Sequence, residues 1–235
     1  MNIAIIGHGK MGKLVEKTSI ERGHQIVHAF NSPDWSSDDL HGVDVAIEFS
    51  SPKNALENIK KSLEAGISIV VGTTGWYNDI EKVKAWVQDY NGSFLAATNF
   101  SIGVNIFYEI NKKLASLINK HSSYKPLVKE IHHTEKLDSP SGTAISIANQ
   151  IVNQIDSLSK WKESKDEEDS TLNILSERRD GVAGFHEVFY ENEIDKITIS
   201  HEAKNRNGFA LGAVVAAEFL SGKKGFYSLS DVVKF

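Results

Sequence analysis

Up to about residue 100, short apolar runs alternate with amphipathic segments. The apolar runs predict strands over residues 3–6, 25–30, 44–49, 67–71 and 93–97. Between them, apolar positions at helical spacing predict helices over residues 11–22, 52–65 and 79–90. Strands that alternate with helices through short loops are typical of a parallel sheet covered by helices.

The pattern becomes mixed beyond Asn99. We expect helices over residues 105–119, 142–155 and 209–220, and strands over residues 127–132, 185–190 and 196–203. The polar, highly charged stretch 156–170 predicts a solvated loop. The whole pattern predicts an α/β protein with an N-terminal Rossmann-type domain, 1–100. A C-terminal α+β domain, 101–205, follows with an open mixed or antiparallel sheet. The pattern leaves open which domain the last helix packs against.

The composition excludes several kinds of function. The 235 residues carry a net charge of −5, which argues against nucleic-acid and anionic-membrane partners. The chain has no cysteine, which excludes disulfides, thiolate zinc sites and cysteine nucleophiles. The start, MNIAIIGHGKMG, predicts a strand and a turn rather than a signal peptide. No run approaches the roughly 18 apolar residues of a membrane helix, so we expect a cytoplasmic protein.

The sequence GHGKMG fits the G-x-G-x-x-G pattern between a predicted buried strand and a predicted helix. Gly7 would allow the tight turn, Gly9 would let a pyrophosphate approach the backbone, and Gly12 would let the helix pack on the strand. The expected cofactor-binding residues are Gly7, His8, Gly9, Lys10, Met11 and Gly12. The alternative is a plain glycine turn between strand and helix.

The loops after later strands extend this cofactor site. Ligands of open parallel sheets lie beyond the carboxyl ends of the strands. The further cofactor-binding candidates there are Asn31, Gly72, Thr73, Thr74, Ala97, Thr98, Asn99 and Phe100. Asn31 and Ser32 stand where an acid that binds the ribose of NAD is expected, and Lys10 could reach a 2′-phosphate. NADPH is therefore slightly favoured over NADH. Alternatively, Lys10 is a solvated surface residue and the later loops are only tight connections.

The stretch EIHHTEKLDSPSGTA, 130–144, concentrates acid–base side chains before a predicted helix. The backbone N–H groups of Ser141, Gly142 and Thr143 could hold a carboxylate at the helix N-terminus. Lys136 and a charged histidine would add positive charge, and histidine can also exchange protons near neutral pH. This set suits a carboxylate substrate that is protonated as it accepts hydride.

Two other interpretations of the stretch remain. His132 and His133 could bind a metal with Glu130 or Glu135. However, consecutive residues on a strand point to opposite faces, and no other His-rich ligand set is evident, so we expect no metal. The histidines could also simply form hydrogen bonds at a domain boundary.

Residues 130–144 match every specified position of E-x-H-H-x-x-K-x-D-x-P-S-G-T-A, which is typical of one family. GTTG, NFSIGVN, GFHEV and HEAKNRNGFALGAV also agree. Over essentially its full length the chain resembles the dihydrodipicolinate reductase family of lysine and diaminopimelate biosynthesis. The resemblance implies an oxidoreductase that transfers hydride from NADPH or NADH to a cyclic dicarboxylate, with loss of water. It implies catalytic roles for His132 as acid/base and Lys136 as proton donor, and substrate binding by His133, Ser141, Gly142 and Thr143.

The resemblance also bears on assembly and on the C-terminal segment. It implies a homotetramer joined through the sheet of the second domain, with residues 206–235 returning to the first domain. The chain departs from the family at Asn31 and Ser32, which leaves the cofactor preference open, and at Glu48, Thr98 and Phe185. Another two-domain dehydrogenase would explain the glycine loop but not residues 130–144. A nucleotide sensor would have no reason to keep Lys136 beside the helix start.

Overall fold

A computed structural model of the chain describes residues 1–233, and the described chain divides into two compact units. One unit contains Met1–Ile102 together with the segment that starts at Arg206, and the other contains Gly103–Asn205. In chain order the elements are β1 (Asn2–Ile6), α1 (Lys10–Glu21), β2 (Gln25–Phe30), β3 (Val45–Glu48), α2 (Pro52–Glu64), β4 (Ser68–Val71), α3 (Ile80–Asp89), β5 (Ser93–Ala96), α4 (Ile102–Ile118), β6 (Lys125–His132), α5 (Gly142–Val152), β7 (Lys160–Glu163), β8 (Thr171–Arg178), β9 (Gly184–Glu191), β10 (Lys196–Ala203), α6 (Asn207–Leu220), β11 (Gly225–Ser228) and α7 (Leu229–Val232).

The first unit is built on a parallel sheet in the strand order β11-β5-β4-β3-β1-β2. Its central strands are buried on both faces, as their continuous apolar sequences predict. Ile3 and Ile5 pack in a core with residues of α1 and α6, whereas Ala4 and Ile6 pack in a second core with residues of α2 and α3. The alternation along β1 therefore divides the apolar side chains between two helical layers.

The second unit contains a mixed sheet in the order β10-β9-β6-β8-β7. The β9 strand pairs antiparallel with β10 and β6, whereas β8 pairs parallel with β6 and β7. Residues of α4 and α5 pack on one core with Val128, Ile174, Val188 and Tyr190 from the sheet. The predicted fold class, a Rossmann-type domain followed by an α+β domain with a mixed sheet, is confirmed.

The charged stretch 156–170 is not the simple loop that its composition predicts. It contains the edge strand β7, which pairs with β8, and Trp161 of β7 packs against the core of the second unit. Lys160 and Lys162 both form ion pairs with Glu168, at 2.5 and 2.8 Å. Charged side chains of this kind are common on edge strands, where they oppose pairing with other chains. The polar composition therefore reflects a sheet edge as well as solvation.

The C-terminal segment contributes directly to the first unit. Helix α6 buries Ala213, Val214 and Ala217 in the core that contains Ile3 and Ile5. After it, β11 adds a parallel strand beside β5. No described helix is both long and apolar enough to cross a membrane.

Candidate active site

The glycine loop follows β1 and opens α1, and each glycine has a distinct environment. Gly7 has a φ of 92°, and a Cβ at Gly7 would collide with the carbonyl of Phe49. A Cβ on Gly12 would collide with the carbonyl oxygen of Gly7, so glycine lets the first turn of α1 approach the loop closely. A Cβ on Gly9 would meet nothing within 4 Å among the described residues. Of the three glycines in the loop, Gly9 alone leaves open space, which fits a pyrophosphate.

The N-terminus of α1 suits the same anion. Gly9 is the N-cap residue, and within residues 1–233 no side chain caps the helix. Backbone N–H groups at such a terminus, together with the helix dipole, favour a bound anion. Lys10 is exposed at the first position of the helix, and Met11 packs against the core. His8 is held by Glu16, with Nε2 2.7 Å from the carboxylate.

The other cofactor candidates follow strands of the same sheet. Because all its strands are parallel, the residues after β1, β2, β4 and β5 share one edge. Asn31 follows β2 and is exposed, as are Thr74 after β4 and Thr98 after β5. Ala97 and Asn99 are partly buried, and Asn99 Oδ1 accepts a hydrogen bond from Ser101 N at 2.9 Å. Phe100 is buried.

A buried polar network supports the loop after β4. Thr73 Oγ1 accepts a hydrogen bond from Ser50 N at 2.9 Å. Ser50 N and Oγ also donate to the Glu48 carboxylate, which is fully buried at the end of β3. Glycine at position 72 leaves room for the ring of Phe49. Sequence analysis treated Glu48 only as a departure from a family pattern, whereas in the fold it links two loops of the sheet edge.

In the second unit, Glu130 and His132 lie at the end of β6, just before the loop of residues 133–141 that leads to α5. Both side chains are buried, with exposures of 0% and 7%. Glu130 Oε1 accepts hydrogen bonds from Ser141 N at 2.9 Å and from Ser176 Oγ at 3.0 Å. Burial alone would raise the pKa of Glu130, but the nearby His186 and the hydrogen bonds from Ser141 and Ser176 lower it to about 2. Glu130 is therefore a buried, charged and hydrogen-bonded carboxylate at neutral pH.

His132 is influenced by the Glu130 carboxylate and by the positively charged Lys136 and Arg178. Its Nδ1 is 3.4 Å from Glu130 Oε2. Burial lowers the pKa of His132 to about 4, and the nearby His186 adds to this effect while Glu130 opposes it. His132 is consequently neutral at pH 7. Glycine at position 184 makes room for its ring, since a Cβ there would lie 3.3 Å from Nε2.

Lys136 and His133 lie on the loop that follows. Lys136 Nζ forms an ion pair with Asp138 Oδ1 at 2.6 Å, and its side chain is 20% exposed. Burial would raise the pKa of Asp138, but its hydrogen bond with Lys136 lowers it. His133 is partly buried, and its carbonyl oxygen accepts a hydrogen bond from Lys136 N at 3.2 Å. The loop thus holds the ammonium group of Lys136 in an ion pair with Asp138.

Helix α5 begins with a capping serine. Ser141 is the N-cap residue, and its Oγ accepts a hydrogen bond from Ala144 N at 3.1 Å. Gly142 is exposed, and a Cβ on it would meet nothing within 4 Å of the described residues. Thr143 is partly buried. A carboxylate therefore has room to approach the N–H groups of this first turn.

Sequence analysis missed His186, which β9 places beside the motif. The antiparallel register pairs Glu130 with His186, whose Nε2 lies 3.2 Å from Ser141 Oγ and 3.6 Å from Glu130 Oε2. The alternation of His186 with Val188 and Tyr190 along β9 could have predicted a buried histidine. Only the pairing of β9 with β6 shows which residue it faces.

The reason for expecting no metal was incomplete, because His186 supplies a further buried ligand atom. One ligand atom each from Glu130, His132 and His186 lies within 4.8 Å of the others, as in many metal sites. Among the described residues, Glu130 Oε2, His132 Nδ1 and His186 Nδ1 have no hydrogen-bond partner. Glu130 Oε1 and His186 Nε2 lie within hydrogen-bond distance of Ser141, so we interpret the cluster as support for the cap of α5.

The first unit has the features of a dinucleotide-binding oxidoreductase domain, and the second carries a separate acid–base site. Two family models match the chain and meet close to residue 102, where the first unit gives way to the second. Residues 1–100 match the model "Dihydrodipicolinate reductase, N-terminus", and residues 103–233 match "Dihydrodipicolinate reductase, C-terminus". The chain belongs to the dihydrodipicolinate reductase family, which confirms the resemblance seen in residues 130–144.

Individual relatives agree with the family models. The chain is 46% identical over 235 residues to the 4-hydroxy-tetrahydrodipicolinate reductase of Christiangramia forsetii, covering 99% of this chain and 98% of the relative. It is 30% identical to the enzyme of that name from Archaeoglobus fulgidus, with both chains fully covered. A dipicolinate-bound dihydrodipicolinate reductase from Paenisporosarcina sp. TG-14 shares the fold, with a TM-score of 0.78, 22% identity and 97% of each chain covered.

Proposed function

We propose that the chain reduces 4-hydroxy-tetrahydrodipicolinate to tetrahydrodipicolinate, in lysine and diaminopimelate biosynthesis. The reaction consumes one hydride from a reduced nicotinamide dinucleotide and one proton, and it releases water. The observation that carries the proposal is the arrangement of residues 130–144, which combines a buried histidine, a protonated lysine and an open helix N-terminus. The curated relatives that carry this name match nearly the whole chain.

The first unit is proposed to bind the cofactor. Gly7 and Gly12 shape the loop, Gly9 leaves space for the pyrophosphate, and the first turn of α1 donates its N–H groups. The bound nicotinamide dinucleotide supplies the hydride. The loops after β4 and β5 lie at the same sheet edge, and the network of Glu48 and Ser50 holds Thr73 there.

The second unit is proposed to bind the substrate and handle protons. The N–H groups of Gly142 and Thr143 hold a substrate carboxylate at the uncrowded start of α5, with His133 as a further contact. A carboxylate would compete with Asp138 for the ammonium of Lys136, which is protonated and can donate its proton. His132 acts as the acid/base group. His132→Ala should mainly lower kcat, and His133→Ala should mainly raise KM.

NADPH is the proposed preferred cofactor, with NADH as a second donor. The exposed Lys10 begins α1, and neither Asn31 nor Ser32 after β2 supplies the acid that favours the free ribose of NADH. The nearest acid after β2 is Asp34, whose Oδ2 accepts a hydrogen bond from Ser32 Oγ at 3.1 Å.

Four copies of the chain are proposed to assemble through the sheet of the second unit. The strand β10 forms one edge of that sheet. Ile197 on β10 is 38% exposed, and Ile194 in the preceding turn is 89% exposed. Exposed aliphatic residues at an unpaired edge favour contact with another chain. Size-exclusion chromatography coupled to light scattering should give the mass of four chains, and a monomer mass would contradict this assembly.

The activity can be tested with substrate made in the cuvette from pyruvate and aspartate semialdehyde by the preceding synthase. We expect oxidation of NADPH, and more slowly of NADH, only when that synthase is present. A protein that binds either cofactor but oxidises neither would contradict the proposal. Lys136→Ala is the matched control, because it should lower turnover by roughly 10²–10⁴-fold while leaving cofactor binding intact.

A further inference from the structure

Glu130 lies between two parts of the proposed site that have different tasks. On one side is the N-terminus of α5, proposed to hold a substrate carboxylate, and on the other is His132, proposed to exchange a proton. Glu130 is 0% exposed, so its charge is compensated by its protein partners rather than by water. No role for Glu130 follows from the motif itself.

The two oxygens of the carboxylate have separate partners. Oε1 accepts hydrogen bonds from Ser141 N, at the cap of α5, and from Ser176 Oγ on β8. Oε2 lies 3.4 Å from Nδ1 of His132 and 3.6 Å from Nε2 of His186. Within the described part of the chain, neither Oε2 nor His132 Nδ1 has another hydrogen-bond partner. A small shift would close an N–H···O bond between these two atoms.

His186 connects the two sides. Its Nε2 lies 3.2 Å from Ser141 Oγ, and the same oxygen accepts the capping hydrogen bond from Ala144 N. The rings of His132 and His186 meet edge to face, with centroids 5.0 Å apart. The buried side chains of Glu130, His132 and His186 therefore connect the orientation and tautomer of His132 to the cap of α5.

We propose that Glu130 is a positioning residue that orients His132 through Oε2 and the cap of α5 through Oε1. This inference rests on the proposed function, which assigns proton exchange to His132 and carboxylate binding to the start of α5. A carboxylate can only accept hydrogen bonds, so it requires the proton of neutral His132 to reside on Nδ1. Nε2 is then left with its lone pair, ready to take up and release a proton.

Replacing Glu130 by Gln should separate the two tasks. The amide oxygen can still accept from Ser141 N and Ser176 Oγ, which fixes the orientation of the amide. Its NH₂ group must then face the two imidazoles, so His132 Nδ1 has to accept and its proton moves to Nε2. The imidazolium form, which needs a proton on Nδ1 as well, loses its carboxylate partner. We expect kcat to fall by roughly 10- to 10³-fold, which is part of the roughly 10²- to 10⁴-fold that general acid–base catalysis contributes.

Dipicolinate binding should distinguish E130Q from a second variant, Ser141→Ala. With dipicolinate as the probe, measured by calorimetry, E130Q should keep its Kd within about threefold, because the cap is retained. Ser141→Ala removes the cap and its link to His186, so it should weaken dipicolinate binding by about fivefold, unlike E130Q. Glu187→Gln is the matched control, because Glu187 follows His186 on β9 and faces the opposite side of the strand. Glu187→Gln should have the kcat and the dipicolinate Kd of the wild type.

Several results would overturn the proposal. One is an unchanged kcat in E130Q, and another is a parallel loss of kcat, dipicolinate binding and melting temperature in both variants, which would indicate a purely structural role. Stoichiometric Zn²⁺ binding by the wild type that E130Q abolishes would identify a metal site instead.

A measurement on the wild type keeps the test independent of folding and turnover. The ¹⁵N chemical shifts of His132, assigned with His132→Gln, report which ring nitrogen carries the proton. A proton on Nδ1 supports the proposal, and a proton on Nε2 refutes it even if E130Q does not fold. A wild type that binds dipicolinate without turning over the synthase product would refute the proposed function alone.

Discussion

Adding one methyl group at Gly9 or at Gly12 should have opposite consequences. The two substitutions, Gly9→Ala and Gly12→Ala, are chemically identical and only three residues apart. Gly9 has an extended backbone, with a φ of −83° and a ψ of −153°, which alanine can also adopt. Gly12 lies inside α1, where a Cβ would collide with the carbonyl oxygen of Gly7.

The structure sets the size of each effect. The Cβ of Gly9→Ala meets no described atom within 4 Å, so the free energy of unfolding should change by less than about 0.5 kcal/mol. The methyl group would occupy the space proposed for the pyrophosphate, and we expect the Kd for NADPH to rise about 10- to 100-fold. Gly12→Ala gains about 1 kcal/mol of helix propensity but overpacks backbone against backbone at a cost of about 1–3 kcal/mol. Because the Cβ would lie far inside contact distance of the Gly7 carbonyl oxygen, the cost lies at the upper end of that range. The net loss of about 2 kcal/mol corresponds to a melting temperature lower by a few degrees.

Calorimetric titration with NADPH and thermal melting of the cofactor-free proteins would measure both quantities. Gly9→Ala should bind poorly and melt like the wild type, whereas Gly12→Ala should melt earlier. Wild-type affinity in Gly9→Ala would refute the proposed pyrophosphate site. Wild-type stability in Gly12→Ala would refute the close packing of α1 on the loop.

Three further predictions concern the acid residues and the cofactor. Lys136→Ala should lower kcat by roughly 10²–10⁴-fold in the coupled assay, as for loss of a general acid, and unchanged turnover would remove Lys136 from the mechanism. Folding lowers the pKa of His132 from 6.5 to about 4, so only the unfolded chain gains this proton as the pH falls between those values. Between pH 7 and 5, the wild type should therefore lose about 2 kcal/mol more stability than His132→Gln, as measured by urea unfolding, and equal losses would contradict the shift. Asn31→Asp should raise the ratio of NADH to NADPH turnover, and an unchanged ratio would place the ribose elsewhere.

The α/β half of the fold could be predicted because its determinants are local. Continuous apolar runs bounded by glycine, as at Gly7 and Gly66, identify strands and helix ends without reference to the rest of the chain. The strands β7 and β8 were missed for physical reasons. β7 has a charged edge-strand sequence, and in β8 the buried Asn173 interrupts the apolar pattern. Its Nδ2 donates to the carbonyl oxygen of Asp166 at 3.0 Å, a contact that local pattern does not reveal.

The candidate site was predictable to the same extent. The residue types and spacing in 130–144 predict acid–base chemistry. The partners of Glu130 come instead from β8 and β9, through strand pairings that join distant parts of the chain. Ser176 and His186 therefore became visible only in the folded sheet, although they complete the surroundings of the buried carboxylate.

The most direct test of the account follows the hydride itself. The wild type would be supplied with NADPH deuterated at the transferable C4 position and with the product of the preceding synthase, and the ring product would be analysed by mass spectrometry. The account predicts tetrahydrodipicolinate one mass unit heavier than the product made with unlabelled NADPH, formed roughly 10²–10⁴-fold more slowly with Lys136→Ala. A product without deuterium, or no reduced product from a protein that binds NADPH, would contradict the proposal that this chain reduces a cyclic dicarboxylate by hydride transfer.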